Sequence, residues 1–229
     1  MLGTYFSNLN ALILYRRTLI FSGILSMFLL ILGCDEKNPV LDVDTGVSTL
    51  DSASLQAIIS TDKGTVTIEL ATKSAPRLAA NFANLVTRNF FDGLTFYRSS
   101  TVMRQAGNPF NIEGTYYRTG YRLVPEFAAD LKFDVGGVVA MPLWSDDQLA
   151  DVRPTEFFIT VKPQDRWTFK YPIFARVVEG EDIVPSLVDG TRITSIRLKG
   201  DPTALFEKHS DLITEWNAAL DARPVDSQN

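Results

Sequence analysis

Residues 96–108 read FYRSSTVMRQAGN, and Arg98, Met103 and Gln105 stand a few positions apart within them. Strand side chains alternate between faces, so Phe96 and Arg98 are expected on one face and Met103 with Gln105 on one face. A cationic, an apolar and an amide group then converge. Neither a nucleophile nor a general base accompanies them, so any chemistry here has to work without one.

The rest of the chain narrows the choice. Its 229 residues include one cysteine and one histidine. Disulfides need two thiols and metal sites usually draw on several His or Cys ligands, so neither is expected, and no cofactor is implied. His209 sits in a helical pattern near the C-terminus and reads as an ordinary helix-surface histidine. The formal charge is −5, from 22 basic and 27 acidic residues. Residues 1–33 carry only Arg16 and Arg17, so the remainder is more acidic still. Binding to nucleic-acid phosphates needs a basic face, which argues against such a partner.

A hydrophobic content of 45% with 11% aromatics fills a sizeable globular core. Ahead of that core, residues 18–32 form an uncharged run behind Arg16 and Arg17. It is shorter than the roughly 20 apolar residues of a spanning helix and suits the apolar part of a signal peptide. The run ends in Ile31-Leu32-Gly33-Cys34, which is similar to the lipobox of bacterial lipoproteins and places the sole cysteine at the lipidation position. The expected organisation is a leader over 1–33, lipidated Cys34 and a tether over 34–54, a domain over 55–200 and a helical tail over 201–229. Polar and turn-forming residues dominate the tether. As a flexible coil it reaches about 25 Å, which would hold the domain near a membrane. Inner and outer membrane stay open.

From Leu55 the pattern predicts a hairpin, LQAIIS and TVTIEL around TDKG. A helix follows, with Ser74 as cap, Pro76 in its first turn, and a stripe of Leu78, Phe82, Leu85, Val86 and Asn89. LTFYRS, VMRQA, GGVVAM, EFFITV, YPIFARVV and RITSIRL read as further strands, with a short helix over 181–188 between the last two. Many strands with two helices suggest a closed or nearly closed antiparallel barrel. Asp201 and Pro202 open the tail helix, whose stripe of Leu205, Leu212, Ile213, Trp216 and Leu220 is expected to pack on the barrel.

The order of these segments resembles the cyclophilin-type peptidyl-prolyl isomerases. SAPRLAANFANLVTRNFFDGLTFYRSS, VMRQAGNP, GYRLVPEF, GGVVAM, TEFFIT and IFARVVEGEDIV each resemble a family block, in the family's order, across residues 55–200. The resemblance implies a mainly β fold, an eight-stranded barrel closed by two helices with a substrate groove outside. It implies a prolyl isomerase with Arg98 as the catalytic arginine and Gln105 holding the substrate backbone. Met103 and Phe158 would wall the proline pocket, and Val102, Trp167, Tyr171 and Met141 would complete the substrate-binding set. The expected partners are proline-containing polypeptides, met by a monomer on the periplasmic side of a bacterial membrane.

Three departures bear on activity. Val102 stands where the family usually has phenylalanine, Glu156 where it has glutamine, and PLWSDDQLADVRP over 142–154 lacks the family's Asn- and Gly-rich character. A second reading is therefore a catalytically weak module that binds proline-bearing segments, and a third a structural envelope lipoprotein using its tail. Glu156, Asp146, Asp147 and Asp151 suggest a preference for basic residues near the proline.

Overall fold

The computed structural model describes residues 54–145, 147 and 150–223. The expected leader, Cys34 and nearly all of the tether lie outside the described residues, as does Asp146.

Alternating side chains and a polar turn give the first hairpin, β1 (Gln56–Thr61) and β2 (Gly64–Leu70). The Thr61 hydroxyl fastens the turn by donating to the Gly64 carbonyl at 2.7 Å. Helix α1 (Pro76–Thr87) follows, with proline in its first turn. Ser74 does not cap it. Its hydroxyl donates to Asp130, and Oε2 of the distant Glu126 accepts from the backbone N–H groups of Arg77 and Leu78 at 2.9 and 3.0 Å. A carboxylate at the positive end of the helix dipole replaces the local cap. Leu78, Phe82, Leu85 and Val86 are buried as the stripe requires. Asn89 lies past the helix end, exposed and at φ 55°, where it turns the chain.

Six strands complete the sheet: β3 (Phe96–Ser99), β4 (Met103–Ala106), β5 (Val138–Ala140), β6 (Phe157–Thr160), β7 (Ile173–Glu179) and β8 (Ile193–Lys199). Their order is β3-β4-β6-β5-β7-β2-β1-β8, with antiparallel neighbours throughout. The expected closed barrel is corrected to a curled sheet. Its edge strands β3 and β8 share no continuous ladder and are stapled at a single bridge, Thr95 to Arg192, with flanking hydrogen bonds such as Ile193 N–H to the Leu94 carbonyl at 2.8 Å. β3 is four residues long and bulged, which twists a strand out of register with a would-be neighbour. The second expected helix is a 3-10 turn, Glu181–Ser186, because Pro185 has no N–H with which to continue an α-helical ladder.

The concave face of the sheet and α1 enclose the main core. Phe82 lies 5.2 Å from Phe91, 5.6 Å from Phe157 and 5.0 Å from Phe174 between ring centroids. A second apolar cluster, Met103, Phe133, Val138, Ala140, Phe158 and Ile173, occupies the opposite face of the same strands.

The tail breaks at His209 into α2 (Thr203–Lys208) and α3 (Ser210–Ala222). Asp201 accepts from the Thr203 N–H at 2.9 Å, so the cap holds but the helix starts a residue after Pro202. Trp216 is buried against Tyr121 at 5.7 Å, and Asn217 accepts from the Asn84 amide at 2.9 Å. The stripe therefore covers the body's own surface. His209 is part-buried at the joint rather than on a helix surface, its Nε2 enclosed without a hydrogen-bond partner, and burial pushes its pKa below 6.5. Among the described non-glycine residues only Asn89, Asn111 and Phe169 have positive φ. Asparagine tolerates this conformation, whereas Phe169, at φ 60°, does so at a cost of about 1–3 kcal/mol.

Candidate active site

The site begins with a bulge. Phe96 pairs with Ala106, but the register shifts before Arg98, which pairs with Gln105. The extra residue, Tyr97, reverses the expected parity. Phe96 enters the core fully buried, while Arg98 emerges on the outer face beside Gln105. Gln105 in turn pairs with Phe158, Phe158 with Ala140, and Ala140 with Ile173. One transverse row thus runs from a cation through an amide to an apolar surface. Arg104, one residue from Gln105, donates instead to the Pro185 carbonyl at 2.8 Å.

Arg98 is held on two sides. Its Nη1 donates to Gln105 Oε1 at 3.2 Å, and its Nε pairs with Glu113 at 2.7 Å. The Glu113 contact is solvent-exposed and contributes little, on the order of 0.2–1 kcal/mol. The loop carrying Glu113 is organised by buried Asn108, whose amide donates to the Ile112 and Thr115 carbonyls at 3.0 and 2.8 Å. Gly107 lets that loop leave β4. Its φ is 94°, and a side chain there would meet the Thr155 carbonyl at 2.0 Å.

Gln105 is oriented from behind. Its Nε2 donates to Glu156 Oε2 at 2.8 Å, and the Tyr97 hydroxyl donates to the same oxygen at 2.5 Å. Arg153 Nη1 supplies the compensating charge at 3.3 Å. A carboxylate only accepts, so the Gln105 amide nitrogen must face Glu156 and its oxygen must face Arg98. Burial, together with the Glu156 charge, pushes the Tyr97 phenol well above its ordinary pKa and keeps it a donor. Glu156 is 2% exposed and fully engaged inside the protein, and Asp151 is paired with Arg122 at 2.6 Å. Two of the four carboxylates behind the expected preference for basic residues are thus already paired within the protein.

Arg98, Gln105, Val102, Met103, Phe158, Trp167 and Tyr171 line one cavity of about 390 Å³. Phe158 stands edge-on to Trp167 at 5.8 Å and to Tyr171 at 5.5 Å, with Phe133 stacked behind it at 6.2 Å. Met141 is the exception. It is fully buried in the main core and outside the cavity lining, because it follows Ala140 and alternation turns it inward.

The cavity's far wall comes from the loop that departs from the family pattern, where the resemblance placed Pro142 and Leu143 at substrate-contact positions but did not single out Trp144, Ser145 or Arg153. The segment over 142–154 is stitched at its base by the Leu143–Val152 bridge and by Arg153 N–H to the Pro142 carbonyl at 2.8 Å. Pro142, Leu143, Trp144, Ser145 and Arg153 therefore face the cavity. The Arg153 guanidinium lies 4.2 Å over the Tyr116 ring and 5.7 Å from Trp144, and Arg118 covers Trp144 at 4.7 Å. An aromatic residue in an otherwise polar loop, with arginines nearby, was the available signal.

Comparison with known proteins agrees with this geometry. The model of the family described as cyclophilin type peptidyl-prolyl cis-trans isomerase/CLD matches residues 56–203. Peptidyl-prolyl cis-trans isomerase-like 1 of Mus musculus is 32% identical over 128 residues, 55% of this chain and 75% of that protein. Peptidyl-prolyl cis-trans isomerase-like 3 of Gallus gallus is 30% identical over 131 residues, 56% of this chain and 79% of that protein. Among solved structures, a Cryptosporidium parvum cyclophilin type peptidyl-prolyl cis-trans isomerase, determined in the presence of the dipeptide Ala-Pro, shares the fold. The TM-score is 0.57 at 21% identity, covering 64% of this chain and 99% of that one.

Proposed function

The chain belongs to the cyclophilin-type peptidyl-prolyl cis-trans isomerases, a family of enzymes that act on proline-containing peptides, and from that premise we propose that the outer row from Arg98 to Phe158 is its catalytic site. The observation that carries the reading is a guanidinium fixed by Gln105 at the edge of a mainly apolar cavity.

Rotation about a peptide bond is opposed by about 18–20 kcal/mol because it breaks amide resonance. No covalent bond has to be made or broken, which fits a site without a nucleophile. As an X–Pro bond twists, the proline nitrogen becomes pyramidal and gains a lone pair that accepts a hydrogen bond. Arg98 is the donor for that nitrogen, and it binds the twisted state better than either planar one. Met103, Val102, Phe158, Trp167 and Tyr171 hold the proline ring, and Gln105 holds both Arg98 and the substrate backbone.

The test is acceleration of cis/trans exchange by the full chain on a proline peptide displaced from equilibrium. Arg98→Ala is expected to lower kcat/KM about 100-fold or more. No acceleration by the unmutated chain would overturn the catalytic reading. Binding of the peptide without acceleration would favour the second reading, a binding module, which the thin wall at Val102 supports.

The finer reading is a lipid-anchored monomer assisting the folding of envelope proteins. It is supported by the charged pair Arg16 and Arg17, the uncharged run over 18–32 and the placement of Cys34. Cys34→Ser would then release the protein from the membrane fraction. Retention of that variant in membranes would count against the anchor.

A further inference from the structure

We propose that Phe169 and Phe127 form an apolar shelf beside the proline pocket, which selects clients carrying a large apolar side chain within two residues of the proline. This rests on reading the cavity as the proline site.

Phe169 is 49% exposed and Phe127 is 40% exposed, although each sits on a fixed support. Phe169 belongs to a tight turn after the 3-10 segment Asp165–Trp167, closed by Lys170 N–H and Tyr171 N–H to the Trp167 carbonyl at 2.8 and 3.1 Å. Its neighbour Thr168 accepts from the Phe133 N–H at 3.2 Å, which ties the turn to the cluster behind the cavity. Phe127 follows Glu126, the residue that caps α1. The two rings line one shallow cleft with Tyr171 and Ile173, and Tyr171 also lines the proline cavity. Tyr171 is therefore the one residue that shelf and cavity share, so the two adjoin there.

The occupant follows from that adjacency. A polypeptide with proline in the cavity advances about 3.3 Å per extended residue, so side chains one or two positions away pass beside Tyr171. The shelf presents aromatic faces there, and apolar surface removed from water is the favourable term. Backbone conformation points the same way. At φ 60° glycine or asparagine would be the unstrained choice, and a phenylalanine in this position gives nothing to the main core, from which it is absent. Strain of this kind is kept at sites that bind.

The experiment titrates the full chain with proline peptides bearing leucine, or alanine, at each of the two positions before and after the proline, reading both binding and exchange rate. The unmutated chain should prefer at least one leucine peptide by about five- to tenfold. Phe169→Gly should reduce that preference to about twofold or less with melting temperature unchanged or raised, and Phe127→Ala should reduce it without loss of alanine-peptide binding. Equal binding across the series by the unmutated chain would overturn the shelf. So would a Phe169→Gly variant that melts lower and weakens all peptides alike, which is the signature of a structural role. Because binding is read separately, absence of exchange catalysis alone would overturn the catalytic reading and leave the shelf standing on its own result.

Discussion

Phe157 and Phe158 are adjacent, of one type and both almost fully buried, yet they serve opposite faces of β6. Phe157 packs edge-on to Phe82, Phe91 and Phe96, all inside the main core. Phe158 meets Phe133, Trp167 and Tyr171 around the cavity. Chemistry here is a matter of which face a side chain takes, since the same ring is structure in one register and binding surface in the next.

That contrast can be broken in graded steps. Phe157→Ala should cost about 3–5 kcal/mol of stability by denaturant unfolding, with kcat/KM of the folded fraction near normal. Phe158→Ala should reverse the balance, lowering kcat/KM about 10–30-fold while losing less stability, because one side of that ring already faces the open cavity. If both variants lose stability and activity in the same proportion, the two faces are not functionally distinct.

Smaller effects sharpen the outer face. Glu156→Gln keeps the shape but removes the pure acceptor, so the Gln105 amide is no longer forced to present its oxygen to Arg98. A fall in kcat of about three- to fivefold at nearly constant KM is expected, and an unchanged kcat would show that Arg98 is aimed without Glu156. Smallest is the joint in the tail. The pKa of His209 in the fold lies below its ordinary 6.5, pushed down by burial first and then by Lys208 and Arg77, with Glu126 opposing. The unfolded chain therefore takes up the proton first, so stability is full above pH 6.5 and declines as pH falls through the folded value. His209→Gln should flatten that decline, a difference of about 1–2 °C in Tm at pH 5.5.

Much of this was legible in the residues. Alternation gave the first hairpin, short β-branched and aromatic runs gave the other six strands, and three- and four-residue spacing gave α1, because these patterns are local. The cavity residues Arg98, Gln105, Met103, Phe158, Trp167 and Tyr171 came from resemblance and were brought together as expected. What the sequence did not yield depended on partners far along the chain. The bulge at Tyr97 reflects the register of β3 on β4, and the cap of α1 comes from Glu126, some fifty positions away. The turn at Pro185 had a local cause, a missing N–H, that the helical reading passed over. Met141 was misplaced by one position at a strand end, where a single step changes the face. Glu156 looked like a surface charge because nothing local announces that Tyr97, Gln105 and Arg153 will enclose it.

The seam between β1 and β8 bears on how the molecule is made. Gln56 pairs with Lys199 and Ile59 with Ile196, so the domain's first strand lies against its last. During synthesis the opening hairpin leaves the ribosome with both edges bare, and their partners β7 and β8 follow more than a hundred residues later. At about 5–20 residues per second those edges wait on the order of ten seconds. Trp216 and Leu220, which seal the surface of α1, arrive later still. The sheet's seam therefore cannot close until the chain has been translated through Lys199, so the first strand made is among the last to be paired on both edges.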